Sequence, residues 1–95
     1  MTLVINAHIH AVAEKRDLVI AELNLLLAPT RAEKGCISYI LYQDNLDANH
    51  FMFQEEWESR ELWQDHMQGP GLQRWSEKTA GAVAEFTLYE MTEAG

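Results

Sequence analysis

Apolar and polar side chains alternate along residues 2–12, "TLVINAHIHAV". A repeat of two residues is typical of a β-strand whose two faces meet different surroundings. The alternation therefore predicts a first strand with one apolar face and an opposite face that carries Asn6, His8 and His10. The apolar face consists of Leu3, Ile5, Ala7, Ile9 and Ala11.

The repeat changes in residues 14–28, "EKRDLVIAELNLLLA", where valine and leucine recur three or four positions apart. This spacing predicts an amphipathic helix with one buried stripe. Pro29 is expected to disturb the helix near its end, and Gly35 to terminate the irregular turn that follows. The predicted stripe consists of Val19, Leu23, Leu26 and Leu27.

Two runs of β-branched and aromatic residues predict two more strands, "CISYILYQD" at 36–44 and "HFMFQEEW" at 50–57. The polar segment "NLDAN" between them predicts a turn that closes an antiparallel hairpin. Alternation places Ile37, Tyr39 and Leu41 on one face of the first of these strands. One face of the second strand carries Phe51, Phe53, Glu55 and Trp57.

Signals for two short helices follow the hairpin. Ser59 is a good N-cap for a helix that ends near Met67, the segment "QGPG" breaks it, and Pro70 suits the first turn of the next helix. The segment "EFTLYEM" at 85–91 predicts the last strand. The order β-α-β-β-α-β, with the second helix split, predicts an α+β ferredoxin-like fold with a four-stranded antiparallel sheet. The residues expected on the inner side of the last helix are Leu72, Trp75, Thr79 and Val83.

The length of 95 residues predicts one domain, residues 1–95. The helices cover one face of the predicted sheet, and a second copy of the chain is the simplest cover for the other, so we expect a homodimer. His8 and His10 then face the partner or solvent. A metal pair at these two histidines stays open as an alternative, but no third ligand presents itself and no metal is expected.

The net charge of −8 argues against nucleic acid and against an anionic membrane as partners, because both attract basic surfaces. No stretch has the apolar length of a membrane span, and the N-terminus shows no signal peptide. Cys36 is the single cysteine, so no intrachain disulfide is expected and it is interpreted as a small buried residue. A cytoplasmic location is the simplest setting for such a chain.

Two segments resemble a known family: "KGCISYILYQD" and "QEEWESRELWQDHMQGPGLQRW". Their combination of Glu55, Trp57 and Ser59 at alternate positions with His66 is similar to the antibiotic biosynthesis monooxygenase domain, most of all to its quinol monooxygenase-like members. Gly35, Cys36 and Tyr39 reinforce this resemblance. It covers nearly the whole chain and implies a ferredoxin-like protomer that forms a dimeric α/β barrel.

The resemblance also implies a class of chemistry. Characterised members oxygenate small quinols or polycyclic phenols with O₂ and without metal or flavin, so no cofactor is expected. Other members degrade haem, and a related branch isomerises a phosphorylated sugar derivative. Many members carry a second histidine five residues after the first, where this chain has Gly71. The haem-degrading branch needs an axial histidine where this chain has Trp75 and Ser76, so haem is not expected.

His66 is the candidate catalytic base, because imidazole exchanges protons near neutral pH. The alternative is a helix-end histidine that caps a carbonyl or contacts solvent. Glu55 is the second catalytic candidate: it lies on an apolar face, where it is predicted to orient His66 or bind a substrate hydroxyl. The alternative for Glu55 is a buried hydrogen bond to a backbone group or an arginine.

The candidate substrate-binding residues are Tyr39, Trp57 and Trp63, whose rings are predicted to hold a flat aromatic substrate. Each has a simpler interpretation as core, and Trp63 also as a dimer contact. We therefore expect a cofactor-independent monooxygenase that acts on a small quinol or polycyclic phenol. A proton-transfer isomerase on the same scaffold, or a non-enzymatic dimer that binds a small ligand, stays open as an alternative.

Overall fold

The structure is a computed structural model that describes residues 2–95. Its sheet contains β1 (Leu3–Ala11), β2 (Cys36–Gln43), β3 (His50–Trp57) and β4 (Val83–Met91), in the order β2-β3-β1-β4. All three strand pairs are antiparallel. The helices are α1 (Arg16–Leu25), α2 (Leu27–Arg31), α3 (Arg60–Met67) and α4 (Pro70–Lys78), and a 3-10 turn (Ala13–Lys15) precedes α1. The predicted ferredoxin-like fold is therefore confirmed.

The alternation of β1 and β3 is confirmed residue by residue. In β1 the odd-numbered positions from Ile5 to Ala11 are buried, whereas Asn6, His8 and His10 on the other face are half-buried. In β3 the buried face carries Phe51, Phe53, Glu55 and Trp57, as predicted. These faces pack against the helices, because burying apolar area on one side of a sheet is what stabilises so small a domain.

The break between α1 and α2 falls at Leu26, which is buried together with Val19 and Leu23. The predicted stripe is therefore formed in two successive helices. Pro29 lies in the first turn of α2, where its missing N–H costs no helical hydrogen bond.

The prediction for Ile37 is wrong. Cys36 pairs with Trp57 and Ser38 pairs with Glu56, so Ile37 is an extra residue at an irregularity in the ladder. An extra residue of this kind shifts the alternation of the strand. Ile37 is consequently exposed, whereas Tyr39 and Leu41 face the helices as expected.

The prediction that Val83 belongs to the inner side of the last helix is also wrong. The helix ends at Lys78, Gly81 has a φ of +77°, and Val83 is the first residue of β4. Its side chain still packs against the core, but from the sheet. Thr79 and Val83 are therefore spaced like residues of one helix, although Thr79 lies just after the helix and Val83 begins a strand.

Gly35 lies in the loop after α2 and contacts the junction between β3 and α3. It has a φ of +87°, and its carbonyl accepts a hydrogen bond of 2.8 Å from the backbone N–H of Glu58. An added Cβ would lie 2.5 Å from Cδ1 and 2.8 Å from Cβ of Leu62. Both the backbone conformation and the available space therefore require glycine here.

Replacing Gly35 by alanine is expected to lower the free energy of unfolding by about 1–3 kcal/mol from the overlap with Leu62, in addition to the backbone strain. Gly81→Ala is a matched control, because Gly81 has a φ of +77° but no atom within 4 Å of an added Cβ. Urea unfolding of both variants separates overlap from strain. Equal losses in the two variants would contradict the packing argument.

The sheet face opposite the helices, which we call the open face, carries four large exposed side chains: Ile40, Tyr42, Tyr89 and Met91. His50 lies on this face with Nε2 2.8 Å from Nδ1 of His8 and Nδ1 2.9 Å from Asp44 Oδ2, and His10 stacks on His50 at 4.2 Å. Burial and the two neighbouring histidines lower the pKa of His8.

These contacts pair the imidazoles with one another and with Asp44. Within residues 2–95 no group of three or more histidine, cysteine or acidic side chains has the arrangement of a metal site. In the same part of the chain, no helix is long and apolar enough to cross a membrane.

Candidate functional site

A hollow lies between the sheet and the α3–α4 pair. It contains about 350 Å³ of space free of atoms, including the part that opens to solvent. The space that the centre of a water molecule can reach is only about 30 Å³, so the walls have to move apart before a flat aromatic molecule can enter. The walls are mostly apolar, and the titratable side chains that reach the hollow are Tyr39, Glu55 and His66. Phe53, Met67, Leu72 and Trp75 are among the residues that form the apolar walls.

His66 reaches the hollow from the last turn of α3. Ser59 caps this helix as predicted, because its Oγ accepts a hydrogen bond of 3.2 Å from the N–H of Leu62. The side chain of His66 is only 3% exposed. Its Nδ1 lies 3.0 and 3.2 Å from the two carboxylate oxygens of Glu33. A carboxylate accepts, so Nδ1 carries the hydrogen and Nε2 is the nitrogen with a free lone pair.

Aromatic rings fix the plane of this imidazole. The Trp57 ring lies 4.9 Å from the His66 ring, tilted by 31°, and the Tyr39 ring meets it edge-on at 5.7 Å. Tyr39 in turn stacks on Phe53 at 4.4 Å. Such packing restricts rotation of His66, so the direction of Nε2 is set by its neighbours before any ligand arrives.

The carboxylate that orients His66 is therefore Glu33, and the prediction that Glu55 does so is wrong. Glu33 lies in the loop after α2, its side chain is 37% exposed, and it borders an outer cleft that shares no lining residue with the hollow. Glu33 was not predicted from the sequence, because it belongs to no strand or helix. Its place directly before the segment "KGCISYILYQD", which carries the family resemblance, is the signal that could have indicated it.

Glu55 enters the hollow from β3 and is 4% exposed. Its Oε1 accepts a hydrogen bond of 3.0 Å from the indole N–H of Trp57. Burial raises the pKa of Glu55 to about 7, with the nearby charge of Glu33 adding to the rise and the indole hydrogen bond opposing it. The hydrogen-bond partner of Glu55 is thus the indole of Trp57, and not a backbone group or an arginine.

Tyr39 and Cys36 stay protonated at neutral pH. Burial is the main cause that raises the pKa of the Tyr39 hydroxyl well above its usual range, and Glu55 adds to it. Burial, followed by Glu55 and Glu33, also raises the pKa of the Cys36 thiol. Neither group is therefore a proton acceptor in this site, and Tyr39 contributes a ring and a neutral hydroxyl.

The three predicted aromatic residues differ in position. Tyr39 lines the hollow, whereas Trp57 is completely buried behind His66 and Trp63 packs in the core away from the hollow. The prediction that Trp57 and Trp63 form the walls of the hollow is therefore wrong, because both rings are packed in the core between sheet and helices. Trp75 of α4, interpreted as a core residue, is the tryptophan that lines the hollow.

Gly71, where many relatives carry a second histidine, lies on α4 and borders the outer cleft with Glu33. A Cβ added here would lie 3.6 Å from Cδ2 of Leu26, which is an ordinary contact. The position is not part of the lining of the hollow. The absence of a side chain at Gly71 therefore leaves the lining around His66 unchanged.

A ferredoxin-like sheet with a carboxylate-held histidine beside an apolar hollow defines a class of small α+β proteins with a candidate site between sheet and helices. Within that class, the sequence model of the family described as antibiotic biosynthesis monooxygenase matches residues 2–78. This match covers more than half of the chain, and the chain belongs to the antibiotic biosynthesis monooxygenase family. The resemblance inferred from the two segments is therefore confirmed.

Individual proteins resemble the chain over nearly all of its length. The protein sll1783 of Synechocystis, described as uncharacterized, is 32% identical over 94 residues, which are 96% of this chain. This chain spans 64% of the length of that protein. The crystal structure of PA3566 from Pseudomonas aeruginosa matches with a TM-score of 0.94 and 26% identity over 99% of this chain and 95% of that one. A crystal structure described as an antibiotic biosynthesis monooxygenase matches with a TM-score of 0.91 and 26% identity, over 98% and 99%.

Proposed function

We propose that this protein is a cofactor-independent monooxygenase that acts on a small quinol or polycyclic phenol. The observation that carries the proposal is His66 at the wall of an apolar hollow, with Nδ1 held by Glu33 and Nε2 free. Membership of a family described as monooxygenase supports the same class of reaction.

Oxygen in its triplet ground state reacts slowly with closed-shell aromatic molecules. A quinol anion is a far better electron donor than the neutral quinol, so removing one proton prepares the substrate for O₂. The protein then has to supply a base, hold the flat anion and exclude water. The hollow supports all three tasks, because it is mostly apolar and has a histidine at its wall.

The residues have separate roles in this proposal. Nε2 of His66 takes the hydroxyl proton, and Glu33 stabilises the positive charge that develops on the ring while keeping Nδ1–H in place. Tyr39 contributes its ring to the wall, while its hydroxyl is hydrogen-bonded to Thr30. Phe53 and Trp75 supply flat apolar surfaces on which an aromatic ring can stack.

The proposed reaction balances without a further reductant. The quinol anion gives one electron to O₂, and the radical and superoxide combine by forming a C–O bond at the adjacent ring carbon. The peroxide takes the proton from His66. Nε2 then removes the hydrogen of that ring carbon as the O–O bond breaks, and the departing hydroxide takes this proton. The sum is quinol plus O₂ giving a hydroxyquinone and water.

The direct test is turnover of 1,4-dihydroxynaphthalene under ¹⁸O₂, with the spontaneous reaction in buffer subtracted. We expect the enzyme to form 2-hydroxy-1,4-naphthoquinone with one labelled oxygen, whereas simple oxidation forms unlabelled 1,4-naphthoquinone and peroxide. The absence of labelled product from this quinol and from a panel of phenols would contradict the proposal. Turnover of a substrate without O₂ would instead favour the proton-transfer isomerase.

A homodimer through the open face is part of this proposal. The exposed side chains Ile40, Tyr42, Tyr89 and Met91 lie together on that face, and covering such a patch with a second copy removes apolar surface from water. Sedimentation equilibrium checks the assembly, and a monomer at micromolar concentration would contradict it.

Glu33→Gln is expected to lower kcat at least about tenfold, a part of the roughly 10²–10⁴-fold that acid–base catalysis contributes. The amide cannot stabilise a positive imidazole as a carboxylate does, and it can present its NH₂ group to Nδ1 and reverse the tautomer. KM is expected to change little, because Glu33 borders the outer cleft and not the hollow. Steady-state kinetics with the quinol measures both constants.

Glu58→Gln is a matched control for this variant, because Glu58 is exposed and makes no side-chain contact with His66. Glu33→Asp keeps the charge and is expected to recover part of kcat. An unchanged kcat in Glu33→Gln, with an intact fold, would remove Glu33 from the mechanism.

A further inference from the structure

Glu55 is the only acidic side chain among residues 2–95 that is buried. In the same part of the chain, no ion pair includes it: every salt bridge involves other residues. An ionised carboxylate in an apolar hollow without a cation loses its hydration and gains little in return. The neutral acid is the form that such surroundings favour.

The indole of Trp57 determines which oxygen of this acid carries the hydrogen. The N–H of Trp57 donates to Oε1 at 3.0 Å, so Oε1 acts as an acceptor. A protonated carboxyl group has one O–H, and with Oε1 occupied as acceptor this hydrogen belongs on Oε2. Oε2 has no hydrogen-bond partner within residues 2–95. The acid is thus held on one side and has a free donor on the other.

The groups around Glu55 do not replace that missing partner. Tyr39 and Cys36 keep their own protons, and the charge of Glu33 further disfavours a second negative charge nearby. His66 borders the same hollow, with Nδ1 already donating to Glu33. The hollow therefore offers a ligand an acceptor at His66 and a donor at Glu55. Trp75, which also lines the hollow, has a buried indole N–H without a hydrogen-bond partner within residues 2–95.

We propose that Glu55 is a specificity-determining residue, a neutral acid whose Oε2–H donates a hydrogen bond to a carbonyl oxygen of the aromatic molecule in the hollow. The proposal rests on the proposed function, because the quinone oxygen of the substrate or product is the acceptor that this donor fits. It identifies the ligands of the hollow as flat aromatic molecules with a carbonyl group and separates them from hydrocarbons of the same shape.

Binding without oxygen or turnover tests this role by itself. The probe is 2,3-dimethyl-1,4-naphthoquinone, whose methyl groups block addition of the Cys36 thiol, and the matched ligand without carbonyls is 2,3-dimethylnaphthalene. Quenching of tryptophan fluorescence measures both under argon at pH 6 and pH 8.5. We expect the quinone to bind about three- to tenfold more weakly at pH 8.5, where Glu55 loses its proton, and the hydrocarbon to bind equally at both pH values.

Two variants separate the donor from mere packing. Glu55→Gln keeps an acceptor for Trp57 and a permanent donor toward the hollow, so its quinone affinity is expected to match the wild type at pH 6 and to be independent of pH. Glu55→Ala is expected to bind the quinone weakly at both pH values. Circular dichroism checks that each variant is folded.

Several results would overturn the role of Glu55: no quinone binding, equal binding of quinone and hydrocarbon at pH 6, or pH dependence that persists in Glu55→Gln. These results are independent of the oxygenation assay. Labelled product together with pH-independent quinone binding would retain the proposed function and reject the donor role. Quinone binding that depends on Glu55, with no labelled product from any substrate, would do the reverse.

Discussion

His66→Ala is expected to lower the rate of enzymatic oxygen uptake on a quinol by about 10²–10⁴-fold, the typical contribution of a positioned acid–base group. Nε2 of His66 is the proposed proton acceptor. Of the other titratable groups at the hollow, Tyr39 keeps its proton at neutral pH, and Glu55, with a pKa raised to about 7, is mostly protonated at pH 6, where the rate is measured. An oxygen electrode measures the rate, with the spontaneous oxidation of the quinol subtracted.

The control for this variant is His10→Ala, which removes a histidine from the open face of the sheet and leaves the hollow intact. We expect the control to retain its activity. His66→Ala leaves Glu33 with access to water, since that side chain is 37% exposed, so the fold is expected to survive. Equal rates in the folded His66 variant and the wild type would remove this residue from the mechanism.

Trp57→Ala is expected to have the largest effect on stability. Trp57 is completely buried, packs against His66 and donates to Glu55. Truncating a buried tryptophan to alanine costs about 3–5 kcal/mol. The whole free energy of unfolding of a domain of this length is roughly 5–14 kcal/mol. Urea unfolding is expected to show a much lower midpoint, and loss of the native state in the least favourable case.

Two variants bracket that result. Trp57→Phe removes the N–H that holds Oε1 of Glu55 but keeps an aromatic ring in the core. Because the ring is kept, we expect a smaller loss of stability than in Trp57→Ala. Leu46→Ala alters a large apolar side chain that is 97% exposed, and such surface changes stay within about 0.5 kcal/mol. A loss at Trp57 no greater than that at Leu46 would show that the indole does not stabilise the core.

The fold was predictable because its signals are local. The alternation in β1 and β3, the N-cap Ser59 and the first-turn proline Pro70 each act within a few residues of themselves. The same reasoning was wrong at Ile37 and Val83. At Ile37 an irregularity in the pairing with β3 shifted the alternation, and at Val83 the chain had already turned through Gly81. Both errors come from pairing and turn geometry, which a periodic pattern does not contain.

The candidate site was only partly predictable. His66, Glu55 and Tyr39 were named from the sequence, and all three line one hollow. Glu33 was missed because it lies 33 positions before His66 and approaches it only when the loop before β2 packs against α3. Trp75 lines the hollow in place of the predicted Trp57 and Trp63 for a similar reason. The packing of all the apolar rings together determines which of them borders an empty space.

The sequence by itself determined the order of the strands and helices, the buried face of β1 and β3 and the family, because periodicity, caps and motif spacing are properties of the chain in one dimension. Only the tertiary structure decided which carboxylate holds His66, that Glu55 bonds an indole in place of a cation, and which tryptophan lines the hollow. These are contacts between residues on different elements. Their distances and burial arise only when the helices close on the sheet, and burial then changes the protonation of Glu55 itself.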